Sequence, residues 1–286
     1  MQLTTSLLWL TMTLLGQASD VPKPNEKEVV RILEPCFQEQ AEKYPFFLDA
    51  ERTQKLELVE KPVMRWTAEG NIGAVWVWTR QGRAEVIGCL GAYVNEKGQY
   101  ESFHEFQSLT LKPLQKVEIA SIRTWDSQKP GVSLTVLEPA PEPSASDKLR
   151  LVQMRSIARE FSVELNPEKK NTHQLRLATA PLYRYQSTNP DVTDGAIFSF
   201  LQDNGTDPEC LLLIEARRTS NGIRRHYAPL RFSWRALRVT HMDRDVWHVD
   251  EHNEFWKARI LHDNYVTCSL GVLNLDSIQK TQKGKP

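Results

Sequence analysis

Ala74-Val-Trp-Val-Trp-Thr-Arg80 opens the stretch that decides the fold. A turn at Gln81-Gly82 leads to Ala84-Glu-Val-Ile-Gly-Cys-Leu-Gly-Ala-Tyr-Val94. A second turn, Asn95-Glu-Lys-Gly98, leads to a third run, Tyr100–Leu111. Three runs rich in β-branched and aromatic residues, joined by short glycine-containing turns, predict an antiparallel meander. Val75, Val77 and Thr79 face one way; Trp76 and Trp78 face the other. A sheet with one wet face would show polar residues at every second position, so both faces of this one need a cover.

The helix that supplies one cover is expected just upstream. Asn25 caps it, Glu26 and Glu28 suit its first turn, and Val29, Leu33, Phe37 and Ala41 form its apolar face. Pro45 stops it. Strands are expected at 55–60, 62–68, 117–123 and 132–137. The segment Glu138-Pro-Ala-Pro-Glu-Pro-Ser-Ala-Ser-Asp147 is stiff and polar and marks the main boundary. A second helix is expected over 148–163, with Leu151, Met154, Ala158 and Phe161 on one face. From Leu175 the pattern is extended again, with Asn, Asp, Gly and Pro between short apolar runs, which predicts an antiparallel β unit. The fold class is therefore α+β: an α+β part over 19–137 with its N-terminal helix packed on an antiparallel sheet, a linker over 138–147, and a helix plus mainly antiparallel, sandwich-like β part over 148–280. Residues 281–286 form a polar tail.

The chain has 286 residues, with 36 Lys plus Arg and 36 Asp plus Glu. A neutral chain does not read as a nucleic-acid binder, because that partner needs a positive field. Arg217-Arg218 and Arg224-Arg225 read as a solvated hairpin end. The apolar core Leu7–Leu15, followed by small residues near Ala18, predicts a signal peptide over 1–18 and an extracytoplasmic location. No later stretch is long and apolar enough to predict a membrane span. The spacing of Cys36, Cys89, Cys210 and Cys268 suggests one disulfide per half, Cys36–Cys89 and Cys210–Cys268, among three pairings. Asn204-Gly-Thr206 is a glycosylation sequon.

Two resemblances enter here. Pro181-Leu-Tyr-Arg-Tyr185, Asp194-Gly-Ala-Ile-Phe-Ser-Phe200, Asp207-Pro-Glu209 and Leu211–Arg217 resemble a family of uncharacterised secreted bacterial proteins, which implies no activity. The element order of the first half resembles nuclear-transport-factor-like and ketosteroid-isomerase-like rolls, which implies a pocket in a curved sheet.

Two constellations could carry chemistry. His248-Val-Asp-Glu251-His252 matches H-x-x-E-H, in which two histidines on one helix face hold zinc and the glutamate acts as base. The flanking Asp245-Val-Trp-His-Val249 alternates like a strand, which favours a polar turn, and His241 or His262 could complete a weaker metal site. On the third meander strand, Glu101 and Glu105 share one face and His104 takes the other. His104 in an aromatic-lined concavity, with a neighbouring carboxylate, would be a general base. The structural alternative is a hydrogen-bonded core histidine. Trp66, Trp76, Trp78, Trp125, Trp234, Trp247 and Trp256 are core if buried, and stacking platforms for sugars or peptides if exposed. The leading functional expectation is a secreted binding or interaction protein for an unidentified ligand or protein partner. The alternative is an enzyme using His104 with a carboxylate, or a metal hydrolase using His248, Glu251 and His252. No cofactor signature is visible.

Overall fold

A computed structural model describes residues 25–170, 172–203, 205–220, 222–252 and 258–283. The expected leader, Asn204 of the sequon, Trp256 and the last three residues lie outside them. In chain order the first elements are α1 (Glu26–Glu42), β1 (Glu57–Leu58), β2 (Met64–Ala68), β3 (Asn71–Arg80), β4 (Arg83–Val94) and β5 (Tyr100–Ser108). Then come β6 (Val117–Ile119), β7 (Arg123–Trp125), β8 (Thr135–Val136), α2 (Asp147–Ala158), β9 (Phe161–Leu165) and β10 (His173–Leu177). The chain continues through β11 (Tyr183–Tyr185), β12 (Val192–Leu201), β13 (Pro208–Thr219), β14 (Gly222–Arg231) and β15 (Leu237–His241). It ends with β16 (Arg244–Val249), β17 (Ile260–Leu261), β18 (Tyr265–Val272) and α3 (Leu275–Lys283).

The meander β3-β4-β5 is the centre of the first sheet, with β1 and β2 on β3 and β18 on β5. Gln81 and Gly82 both have positive φ, +52° and +82°, as a tight hairpin turn between twisted strands requires. Both faces of this sheet are covered. Trp76, Trp78, Leu90 and Phe106 pack with Val29, Leu33, Phe37 and Ala41 of α1. Val75, Val77, Ile87 and Cys89 pack against Ile197, Leu211, Leu213 and Leu230 of the second sheet. The two sheets therefore lie face to face, and α1 closes the outer side of the first.

The second sheet has nine strands, in the order β16-β15-β9-β10-β12-β13-β14-β8, with β11 on β12. It curls. Phe161 of β9 meets Tyr227 of β14 with ring centroids 5.1 Å apart, although four other strands separate them in chain order. Met154, Ile157 and Ala158 of α2 pack on the same face as Val163, Phe198, Leu212 and Leu237. A small third sheet, β17-β7-β6, carries the parallel pair β17–β7.

Three features differ from the sequence reading. The second helix ends at Ala158 rather than Val163, because Phe161-Ser-Val-Glu-Leu165 alternates with period two and forms β9, burying Phe161, Val163 and Leu165. No disulfide joins the four cysteines. Cys36 sits on α1 and Cys89 on the far face of the first sheet, while Cys210 and Cys268 belong to different cores. The last strand, β18, leaves the second half in sequence and pairs with β5, so the first sheet is completed from residues 265–272. No described helix is long and apolar enough to cross a membrane.

Candidate functional site

The interface between the two sheets is apolar over β3 and β4 and polar toward two of its margins. At one margin Arg83 crosses from β4 to β13. Its Nε donates to Glu215 Oε1 at 2.7 Å and its Nη1 to Glu85 Oε2 at 2.7 Å. Arg217 Nη1 donates to Glu215 Oε2 at 2.9 Å, and the Tyr185 hydroxyl donates to Glu215 Oε1. Two arginines thus meet two carboxylates. Burial alone would raise the Glu215 carboxyl, but Arg83, Tyr185 and Arg217 reverse this and hold it below its ordinary value.

The other polar layer lies where β5, β18 and the end of β14 come together. Tyr265 of β18 donates its hydroxyl to Glu105 of β5, and the Arg231 guanidinium lies over the Tyr265 ring, 5.6 Å from its centroid. On one side of this wall is a cavity of about 330 Å³ that includes Trp66, Phe103, Glu105, Asp207, Glu209 and Trp234 in its lining. Glu209 accepts from Gln202 and, at 3.5 Å, from Arg235. Burial pushes Glu105 well above its ordinary value, and Asp207 adds to the rise. Asp207 is raised well above its own, first by burial and then by Glu209. Both carboxyls therefore hold protons at pH values where an exposed carboxyl is ionised.

On the other side of the wall is a larger cavity of about 1000 Å³. Gln107, Arg231, Tyr265 and His252 line it, and so do consecutive residues of β16. Arg231 is only 8% exposed, and burial lowers its pKa. It donates to the carbonyl oxygens of Trp234, at 3.2 Å, and Asp250. No carboxylate among the described residues lies within ion-pair distance of it.

The sequence candidates fall in different places. His104 is 2% exposed and packs on the α1 side, its Nδ1 against the Tyr44 hydroxyl and its Nε2 3.0 Å from Gln40 Oε1. Burial pushes its pKa down to about 3, which leaves it neutral. Glu105 faces the opposite side of β5, so it does not join His104, whose hydrogen-bond partners among the described residues are Tyr44 and Gln40. Glu101 lies near the β4–β5 turn, where it accepts from Tyr93 and Asn95. His248, Glu251 and His252 are not on a helix: His248 is exposed on β16, and the other two follow its end. Glu251 pairs with Lys169. His252 lies edge-on to Tyr265 at 5.6 Å, with its Nδ1 3.7 Å from Asp263. Among the described residues, no group of three or more His, Cys, Asp and Glu side chains could hold a metal ion. Trp66, Trp76, Trp78 and Trp125 are buried, and Trp234, at 41% exposed, stands at the mouth of the smaller cavity.

Sequence reasoning missed Asp207, Glu209, Arg231 and Tyr265. The one local signal was Glu105 itself, a charge in a strand buried on both faces. Comparison with protein-family models, with curated proteins and with solved structures found no match for the chain.

Proposed function

We propose that the protein is an extracytoplasmic binding protein that takes its ligand in the divided cleft between the two sheets. The observation that supports this most is the unbalanced layer of buried Glu105 and Glu209 with half-buried Asp207, against buried Arg231 and half-buried Arg235. Burying ionisable groups without full pairing lowers stability, and a purely structural interface gains nothing from it. The Arg83–Glu215 layer in the same interface is paired, so the fold can pair such groups. Perturbed carboxyls in a cavity with aromatic walls are also a common mark of a binding or catalytic site. The leader expected over residues 1–18 supports the extracytoplasmic location.

The test is a thermal-shift panel of sugars, amines, peptides and divalent metals, on the native chain and on Glu105→Gln/Asp207→Asn. A ligand at about 100 times its dissociation constant stabilises by roughly 2.7 kcal/mol. The expected result is a shift for one class that the double variant reduces. A flat panel, or a shift indifferent to the double variant and to Arg231→Gln, would overturn the reading. A second reading, an enzyme, is favoured by one observation: a protonated Glu105 beside the Tyr265 phenol is a general-acid arrangement facing a cavity. Glu105→Gln separates the two, since it would retain binding and abolish turnover.

A further inference from the structure

The larger cavity has an unusual lining. Val246, Trp247, His248, Val249 and Asp250 all border it, as do Pro229, Leu230 and Arg231. Successive residues of a strand point to opposite faces, so a cavity on one face would touch every second residue. A cavity that touches every residue runs along the strand's edge. The strand order agrees: β16 and β8 are the two edges of the curled nine-stranded sheet, and beyond Thr135, where β8 begins, β14 has no neighbour on that side. The cavity is thus the gap in an unclosed barrel.

The register shows which backbone groups face the gap. Phe232 donates its N–H to Glu209 O, and Leu137 donates to Arg225 O. Even-numbered residues of β14 therefore bond inward to β13, and outward face the carbonyl of Pro229, which has no N–H, and both main-chain groups of Arg231. Asn166 donates to Ala236 O and Met242 to Glu160 O, so the even residues of β15 bond to β9 and its odd residues to β16. Leu237 pairs with Val249 and Val239 with Trp247. The main-chain groups of His248 and Asp250 therefore point away from the sheet, and Val246 is the extra residue of a bulge opposite Thr240. All four outward-facing residues, Pro229, Arg231, His248 and Asp250, line the cavity. The Asp250 carbonyl confirms the direction by accepting from Arg231, a bond that bridges the two edges and closes the slot at that end.

We infer that this slot binds an extended peptide by strand addition, with a carboxylate of the peptide held by Arg231 at the closed end. This inference rests on the cleft reading above and names its ligand class. Edge main-chain groups give such a site its affinity, and side-chain pockets give it selectivity. The carboxylate is assigned by charge complementarity. Arg231 is a nine-tenths buried cation facing the cavity, its hydrogen bonds go to carbonyl oxygens and its face to a ring, Asp250 and Asp263 act on it only from beyond ion-pair distance, and two of its five N–H donors are engaged. Trp247, Tyr227 and Tyr265 supply apolar surface around the slot.

The probe is a pool of random hexapeptides, prepared once with free C-terminal carboxylates and once as amides, followed by calorimetric titration of the peptides the protein retains. Replacing His248 by proline deletes an outward N–H and leaves the β15 ladder intact, and edge strands tolerate proline there. His248→Pro is expected to weaken binding at least tenfold, His248→Ala less than threefold, and Arg231→Gln about tenfold. Binders from the free-acid pool alone identify a C-terminal carboxylate; acidic sequences from both pools identify a side chain. Should His248→Pro fail to fold, N-methylation along a retained peptide replaces it: affinity should drop at every second amide. The inference is overturned if neither pool yields a binder, if N-methylation shows no two-residue period, or if His248→Pro dissolves a homodimer, which would make a second copy the occupant. A chain blind to peptides that still binds another ligand in the cleft loses only this inference. A chain that binds nothing there loses the cleft reading as well.

Discussion

The interface between the two sheets uses the same pair twice, with opposite consequences. Tyr185 donates to Glu215, and Tyr265 donates to Glu105; each tyrosine and glutamate is buried between the same two sheets. Glu215 has Arg83 and Arg217 within ion-pair distance and is held below its ordinary pKa. Glu105 has Asp207 and Glu209 for company and rises well above its own. Burial is common to both, and the surrounding charge sets the opposite directions of these two, although Glu85, beside Arg83 in the first layer, is still raised by burial. The first layer fastens the sheets together. The second holds two carboxyls raised well above their ordinary values beside a pair of cavities, and that asymmetry separates a structural polar layer from a candidate site.

Removing the counter-ion should break the comparison most sharply. Arg83→Leu would leave Glu215 and Glu85 buried against each other, and a loss of about 3–5 kcal/mol is expected in urea unfolding. Arg235→Leu should cost about 1 kcal/mol or less, since its pair with Glu209 is partly exposed. Equal losses would mean that the two layers do the same job.

Neutralising the glutamates comes next. Glu215→Gln should cost about 3 kcal/mol, because it leaves Arg83 under-compensated. At about pH 4, where folded and unfolded carboxyls both hold protons, Glu105→Gln should change stability by less than about 1 kcal/mol, and toward neutral pH it should stabilise, because burial holds the Glu105 carboxyl well above its ordinary value and costs stability as pH rises. A large loss for Glu105→Gln would show that Glu105 is ionised and paired.

A further variant displaces Tyr185 without altering any charge. A Cβ on Gly195 would come 2.4 Å from Tyr185 Cζ, so Gly195→Ala must push the ring off Glu215. A cost of about 1–3 kcal/mol is expected, with a rise in the Glu215 pKa visible by NMR titration. An unchanged Glu215 would show that the arginines alone hold its charge.

The most gradual effect is a slope with pH. Glu105 and Asp207 have folded pKa values above their unfolded ones, so the folded chain binds more protons, and stability falls as pH rises from about 4 through the raised values. Glu105→Gln/Asp207→Asn should remove this fall, at up to about 1.4 kcal/mol per pH unit for each group. Glu215 acts in the opposite sense: its stabilisation is present above about pH 4 and is lost as pH falls through its lowered folded value. His104, held neutral down to about pH 3, also costs stability as pH falls below about 6.5, and this cancels when native chain and double variant are compared. Parallel pH profiles for the two proteins would sink the assignment of protonated carboxyls.

Much of the fold was legible because it was written in local periods. The α1 face of Val29, Leu33, Phe37 and Ala41 and the two-sided meander follow from spacings of three to four and of two residues, and all four helix positions are buried. Residues 161–165 were harder, since Phe161 satisfies the helical spacing of α2 while Val163 and Leu165 satisfy only the strand period. The cysteine spacing misled because sequence distance does not say which face of a sheet a residue takes. The site was mostly illegible: Glu105 and Tyr265 are 160 positions apart, and Glu105 meets Asp207 and Glu209 only after the second sheet docks on the first.

By itself the sequence determined the element types, the α+β class and the need to cover both faces of β3–β5, because these depend on neighbours a few residues apart. Tertiary structure alone decided that β18 returns to β5, that β16 remains an open edge, and that one buried glutamate is held below its ordinary pKa while another is pushed well above it. Those outcomes depend on the desolvation and the charges that distant strands bring to one point, and no local pattern encodes them.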